Sequence, residues 1–124
     1  MTTILREADA PRYQLPGAVV IGLAAKSRGA SEITTYRVRL GSGSAMPPHR
    51  HDHEEVFTVL EGTVTAVLDG ERVPTRPGDT VIVPAGMEHY VLAGDAAADL
   101  IAAVPAGTLF ISPDGERRVA DWAR

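Results

Sequence analysis

The chain has 124 residues, of which 44% are apolar, carries a formal net charge of −4 and contains no cysteine. That length suits one domain with a single core. The missing thiols exclude a disulfide framework, a thiolate nucleophile and a cysteine-held zinc site. No apolar run approaches the roughly 20 residues of a membrane helix, and the basic residues are scattered, which argues against nucleic acid and membrane surfaces as partners. The opening residues, with Arg6-Glu7 and Asp9, lack the apolar stretch of a secretory leader, so the expectation is a soluble, cytoplasmic protein.

In chain order, residues 1–17 hold Pro11, Pro16 and Gly17 with little periodicity and read as an extended N-terminal arm. Residues 18–25 are rich in β-branched side chains, which predicts a strand. After the turn Lys26-Ser27-Arg28-Gly29, residues 32–40 alternate. Tyr36, Val38 and Leu40 share one face and Arg37 and Arg39 the other, the pattern of a half-buried strand. Two apolar strands, 56–60 and 63–68, flank Glu61-Gly62, and Asp69-Gly70 marks a hairpin turn. A short piece at 71–74 precedes the turn Arg76-Pro77-Gly78-Asp79. Further strands are expected at 80–83, 89–93 and 100–104. Ser112-Pro113-Asp114 predicts the start of a short terminal helix capped by Ser112, with Trp122 anchoring that end. Short strands divided by 9 prolines and 12 glycines indicate an all-β sandwich or barrel. The expected organisation is one domain over 1–124, with a barrel at 18–111 and a C-terminal segment at 112–124.

Chemistry is concentrated in two turn-flanked segments. His49, His51 and His53 fall within five residues and are followed by Glu54 and Glu55; His89, the fourth histidine, stands 34 residues after Glu55. Residues two apart on a strand point to the same face, so His49 and His51 are expected side by side, with Glu55 on the same parity. His89 has to arrive from a different strand, which a barrel can bring across its interior. Neutral imidazoles and one carboxylate suit Fe, Mn, Ni, Cu or Zn, and such a set leaves positions open for substrate or water. A solvated polar loop is the bland alternative for residues 49–53. The carboxylate at 55 and the distant His89 weigh against it. Asp52 and Glu54 read as solvated loop charges, and His53 as a residue turned out of the metal shell, acting at most as a second-shell or pocket-mouth proton carrier.

The spacing also resembles the two motifs of the cupin family. Gly43 is followed after five residues by His49-Arg50-His51, after three more by Glu55 and after six more by Gly62. The second segment has Gly78, five residues, Pro84-Ala85-Gly86, two residues, His89, three residues and then Ala93, where the family pattern has Asn; 15 residues separate the two motifs. The resemblance implies a small jelly-roll-like β-barrel that holds one divalent metal ion per chain, with His49, His51, Glu55 and His89 as ligands. It also implies a homodimer. Val56 and Leu60 point the same way: if Glu55 faces inward they face outward, and apolar residues there need covering.

On the parity of Glu55, Phe57 and Val59 are expected to face the interior; Val91 shares the parity of His89. Tyr36 and Val38 join them from the earlier strand, and Met46 and Met87 flank the histidine segments. Each reads first as core and second as pocket wall. Together with Ala93 they outline a mostly apolar pocket, with Tyr36 as its polar handle and no basic side chain clearly aimed inward. Three function classes remain. The favoured one is a metal-dependent oxygenase acting on a small organic molecule, with Glu55 alternating between ligand and base. The second is a non-redox isomerase, lyase or polyketide-cyclase-like enzyme using the metal as a Lewis acid. The third is a non-catalytic metal or small-ligand binder.

Overall fold

The alternation at 32–40 is what the structure shows: along Ile33–Leu40 the residues Tyr36, Val38 and Leu40 are buried while Arg37 and Arg39 look outward. The structure is a computed structural model that describes residues 3–124. In chain order its strands are β1 (Arg12–Leu15), β2 (Ala18–Ala24), β3 (Ile33–Leu40), β4 (Arg50–His51), β5 (Glu55–Glu61) and β6 (Val64–Leu68). They continue with β7 (Glu71–Thr75), β8 (Thr80–Val83), β9 (His89–Ala93), β10 (Ala98–Pro105), β11 (Phe110–Ile111) and β12 (Arg117–Arg118).

The strands form three antiparallel sheets, ordered β1-β2-β3-β10-β5-β8, β12-β11-β4 and β7-β6-β9. Isolated bridges, Ala45 to Leu92 and His49 to His89, lay the approach to β4 alongside β9. The two small sheets are thereby joined into one layer facing the six-stranded sheet. The result is jelly-roll-like; among the described residues the sheets do not close into a continuous barrel. Val20, Val38, Phe57 and Val59 from the large sheet meet Val64, Ala66 and Val91 from the other layer in one apolar core, the arrangement by which two sheets bury their inner faces.

Two expectations are corrected at the termini. The segment expected as an arm contains β1, which pairs with all of its residues to Ala18–Ile21 of β2; Gly17, at φ +74°, makes the tight turn between them. The expected helix at Ser112 is a turn. Ser112 Oγ donates to Asp114 Oδ1 at 2.7 Å, and Asp114 Oδ1 also accepts from Glu116 N at 3.0 Å. These local bonds satisfy the groups a helix would otherwise use, and β12 follows. Helical structure at this end is one 3-10 turn, Asp121–Ala123, whose Trp122 packs against Tyr13, Tyr36 and Phe110 at centroid distances of 5.8–6.2 Å.

Candidate metal centre

Backbone pairing brings the first and last histidines together. His49 N–H donates to His89 O at 3.0 Å and His89 N–H returns to His49 O at 2.9 Å, a closed antiparallel pair that sets both side chains on one face. His51, two residues on, shares that face. The ring centroids lie 4.4 Å apart for His49 and His89, 4.8 Å for His49 and His51 and 4.9 Å for His51 and His89. One nitrogen from each ring lies within 4.8 Å of the other two.

The tautomers are set locally. His49 Nδ1 is 2.8 Å from Pro47 O and His89 Nδ1 is 2.9 Å from Met87 O. A carbonyl can only accept, so each neutral ring donates from Nδ1 and turns its Nε2 lone pair inward, the arrangement metal-ligating histidines use. The Nε2 atoms of His51 and His89 are buried without a hydrogen-bond partner, which leaves a desolvation cost of about 1–3 kcal/mol each. Glu55 Oε2 lies 3.3 Å from His51 Nε2, and Glu55 Oε1 lies 3.4 Å from His89 Nε2. At His89, whose Nδ1 is the donor, a carboxylate oxygen facing the Nε2 lone pair at that distance calls for a cation. Three imidazoles with a buried carboxylate beside them therefore fit one divalent ion of the Fe, Mn, Ni, Cu or Zn type.

Electrostatics agree with this reading. Burial opposes ionisation of Glu55, but N–H or positive charge at the adjacent His51 and His89 nitrogens outweighs it and holds the carboxyl well below the ordinary carboxylate range, a part that an ion among those nitrogens would take over. Burial, and then the neighbouring His89, push His49 down to about 4, so its lone pair is available at neutral pH. Burial and the Glu55 carboxylate both raise the Tyr36 hydroxyl well above its ordinary value, so it remains a donor; it bonds Glu55 Oε2.

The metal-free protein should consequently lose stability in acid. As pH falls through 6.5 the unfolded chain takes up the His49 proton while the folded chain resists it until about 4. The stabilisation is whole above pH 6.5 and disappears across that window. At about 1.36 kcal/mol per unit the loss is about 3 kcal/mol over the whole window, and somewhat less by pH 4.5. Denaturant unfolding of metal-free protein at pH 7 and pH 4.5 measures it, and stability that rises on acidification would contradict the assignment.

A cavity of about 290 Å³ opens beside the histidines, a size that takes a small organic molecule. His49, His89 and Glu55 lie on its lining, together with Tyr36, Val38, Met46, Phe57 and Val91. Val59 and Ala93 are core residues that do not line it, and Met87 packs against the core. The Asn-to-Ala departure at 93 therefore alters packing between β9 and β6, where Ala93 is 3% exposed, and not the cavity wall. Sequence reasoning missed Phe110 and Trp122. Phe110 packs edge-on to His51 at 4.2 Å and stacks on His49 at 5.7 Å. It also missed Arg118 and Glu116, exposed residues of opposite charge on the cavity lining. The expectation of a lining without basic side chains is corrected to that extent.

His53 and Asp52 lie outside the site. A bend at residues 52–53 interrupts the strand parity after β4, and the His53 side chain is 51% exposed. Its Nδ1 pairs with Asp52 Oδ1 at 2.9 Å, and His53 does not line the cavity. Asp52 is more than a solvated charge: Oδ1 also accepts from Leu109 N at 2.7 Å, tying the bend to the segment before β11.

Comparison with known proteins agrees with the fold and the two motifs. The family model described as Cupin domain matches residues 36–104, and the chain belongs to the cupin family. Among curated proteins, quercetin 2,3-dioxygenase from Bacillus subtilis is 36% identical over 93 residues, covering 72% of this chain and 27% of the relative. A dimethylsulfoniopropionate lyase from Ruegeria pomeroyi is 35% identical over 54 residues, covering 44% of this chain and 36% of the relative. The chain thus spans well under two thirds of either relative's length. Among solved structures, the polyketide cyclase RemF from Streptomyces resistomycificus superposes with a TM-score of 0.78 at 21% identity, covering 87% of this chain and 82% of that one. This last likeness is one of fold. No helix among the described residues is long and apolar enough to cross a membrane.

Proposed function

We propose that the protein is a mononuclear metal-dependent oxygenase of the cytoplasm that acts on a small, largely apolar organic molecule. The observation that carries this is the cluster of His49, His51 and His89, with Glu55 against two of them, beside a cavity whose inner wall is mostly apolar. His49, His51 and His89 would hold the ion, and Glu55 supplies a fourth donor or a base. The likeness to a quercetin dioxygenase over most of this chain supports an aromatic substrate, as do the aromatic walls of Tyr36, Phe110 and Trp122.

The bound ion would supply a point at which substrate and dioxygen meet. The protein's own residues do the rest. Phe57, Val38 and Val91 exclude water from the reacting end, which strengthens every polar contact made there. Phe110 and Trp122 present faces and edges against which a planar ring can pack. Glu55, held ionised, accepts a hydrogen bond or a proton from a substrate hydroxyl at its free oxygen. Oxygen uptake by Fe(II)-loaded protein with flavonol-like or dicarbonyl compounds tests the reading, with uptake expected to match substrate loss. Substrate conversion without oxygen uptake would favour a second reading, a non-redox lyase or isomerase, which the likeness to a dimethylsulfoniopropionate lyase supports.

The same reading includes a homodimer. On the outer face of the large sheet Val56 pairs with Ile82. Ile82 is 61% exposed, Ile33 59% and Leu60 40%. Exposed apolar side chains on a sheet face favour covering, and a second copy meeting that face would cover it symmetrically. Ile82→Glu should convert the dimer to a monomer in size-exclusion chromatography with light scattering while leaving metal content unchanged. A wild-type monomer at all concentrations would remove the dimer from the account.

A further inference from the structure

Glu55 stands apart from the other polar groups of the centre. The three histidine nitrogens form a mutually close set to which Glu55 does not belong, although its oxygens lie 3.3 and 3.4 Å from two of them. What holds the carboxylate is a side chain from two strands away. Tyr36 on β3 is in register with Ala102 on β10, and Ala102 with Phe57 on β5; Glu55 shares the inward face of Phe57. Strands lie about 4.8 Å apart, so Tyr36 has to bridge about 10 Å to reach β5. Ala102, a methyl at the intervening position, leaves the space for the phenol to cross. The buried hydroxyl then donates to Glu55 Oε2, the same oxygen that faces His51.

We propose that Tyr36 is a positioning residue that sets the role of Glu55: its hydroxyl occupies Oε2 and leaves Oε1 as the oxygen free to meet an ion or a substrate. The proposal rests on the metal-centre reading and goes beyond it. A free carboxylate beside three imidazoles can turn both oxygens to an ion and fill a position that substrate needs. A carboxylate tied through one oxygen keeps that position open and its own orientation fixed. Partners of this kind, which touch a ligand and not the ion, commonly change metal affinity by about 10–100-fold.

The test uses cobalt(II) as the probe, titrated into metal-free wild type, Tyr36→Phe, Glu55→Ala and the double variant, followed by visible d–d absorption and calorimetry. Tyr36→Phe keeps the ring volume, so the core remains filled. It is expected to bind one equivalent, with an altered absorption band and an affinity about 10-fold below wild type. In the Glu55→Ala background the same substitution should change the band not at all and the affinity by less than about 2-fold, because its partner is gone. A wild-type band and affinity in Tyr36→Phe would overturn the proposal while leaving the metal centre intact. An equal effect with and without Glu55 would overturn it too, since Tyr36 would then act through packing. Wild-type protein that takes up no cobalt(II) would instead remove the metal-centre reading, and the proposal with it.

Discussion

Replacing His89 by alanine is expected to abolish stoichiometric metal binding while leaving a folded protein. His89 is 2% exposed and its ring sits between His49 and Glu55. Deleting it removes one of three nitrogens from the cluster, so the loss should exceed the roughly 100-fold that removal of an outer partner can cost. Stability behaves differently. The deleted ring carries a buried nitrogen with no hydrogen-bond partner, whose removal relieves a desolvation penalty and offsets part of the cavity cost. The net change in metal-free stability should be within about 1–2 kcal/mol. Calorimetric metal titration beside denaturant unfolding separates the two effects. A His89→Ala protein that binds metal like wild type, or one that fails to fold, would place His89 in the framework and not in the site.

Gly62→Ala is expected to destabilise the protein far more than Gly86→Ala, although both are motif glycines with left-handed backbones. At Gly62 φ is +73°, and an added Cβ would lie 2.5 Å from Ala97 O and 2.9 Å from Ala98 Cα. Both are backbone atoms, so the clash can be relieved only by moving β10 away from the end of β5. Left-handed strain of about 1–2 kcal/mol adds to overpacking of about 1–3 kcal/mol, giving a loss of about 2–5 kcal/mol. At Gly86 φ is +81° but an added Cβ meets nothing within 4 Å, so strain alone applies, about 1–2 kcal/mol. Urea unfolding of the two variants measures the difference, and equal losses would contradict the close-approach explanation. The consequence reaches the site, because Gly62 turns the strand bearing Glu55 into β6, which pairs with β9 and His89.

Much of the fold and of the site is legible in the sequence. Alternation at residues 32–40 placed Tyr36 and Val38 inward because period-2 patterning is a local property. The spacing from Gly43 to Gly62 and from Gly78 to His89 marked both ligand segments, since turns and strand parity are set by near neighbours. What escaped notice depends on contacts distant in sequence. β4, β11 and β12 have two residues each, too short for any periodicity, and they exist because they pair with one another. Phe110 reaches the histidines only through that pairing, and Trp122 reaches Phe110 only through the final 3-10 turn. Glu55 reads from the spacing as one of four ligands that also alternates with the role of base; its attachment to Tyr36 crosses β10 and leaves no mark in the spacing. The terminal helix was misread because Ser112 and Asp114 bond to each other locally, a competition that favours a turn from the same letters that suggest a cap.

Metal content tests the three-histidine centre with Glu55 beside it most directly. Protein purified without chelators, or stripped and reloaded with Fe(II), Mn(II), Ni(II), Zn(II) or Cu(II), should hold one equivalent per chain of at least one of these ions. Mass spectrometry should identify that ion, and the His89→Ala protein should hold far less of it. Absence of stoichiometric metal under every loading condition, or equal content in wild type and His89→Ala, would contradict the account.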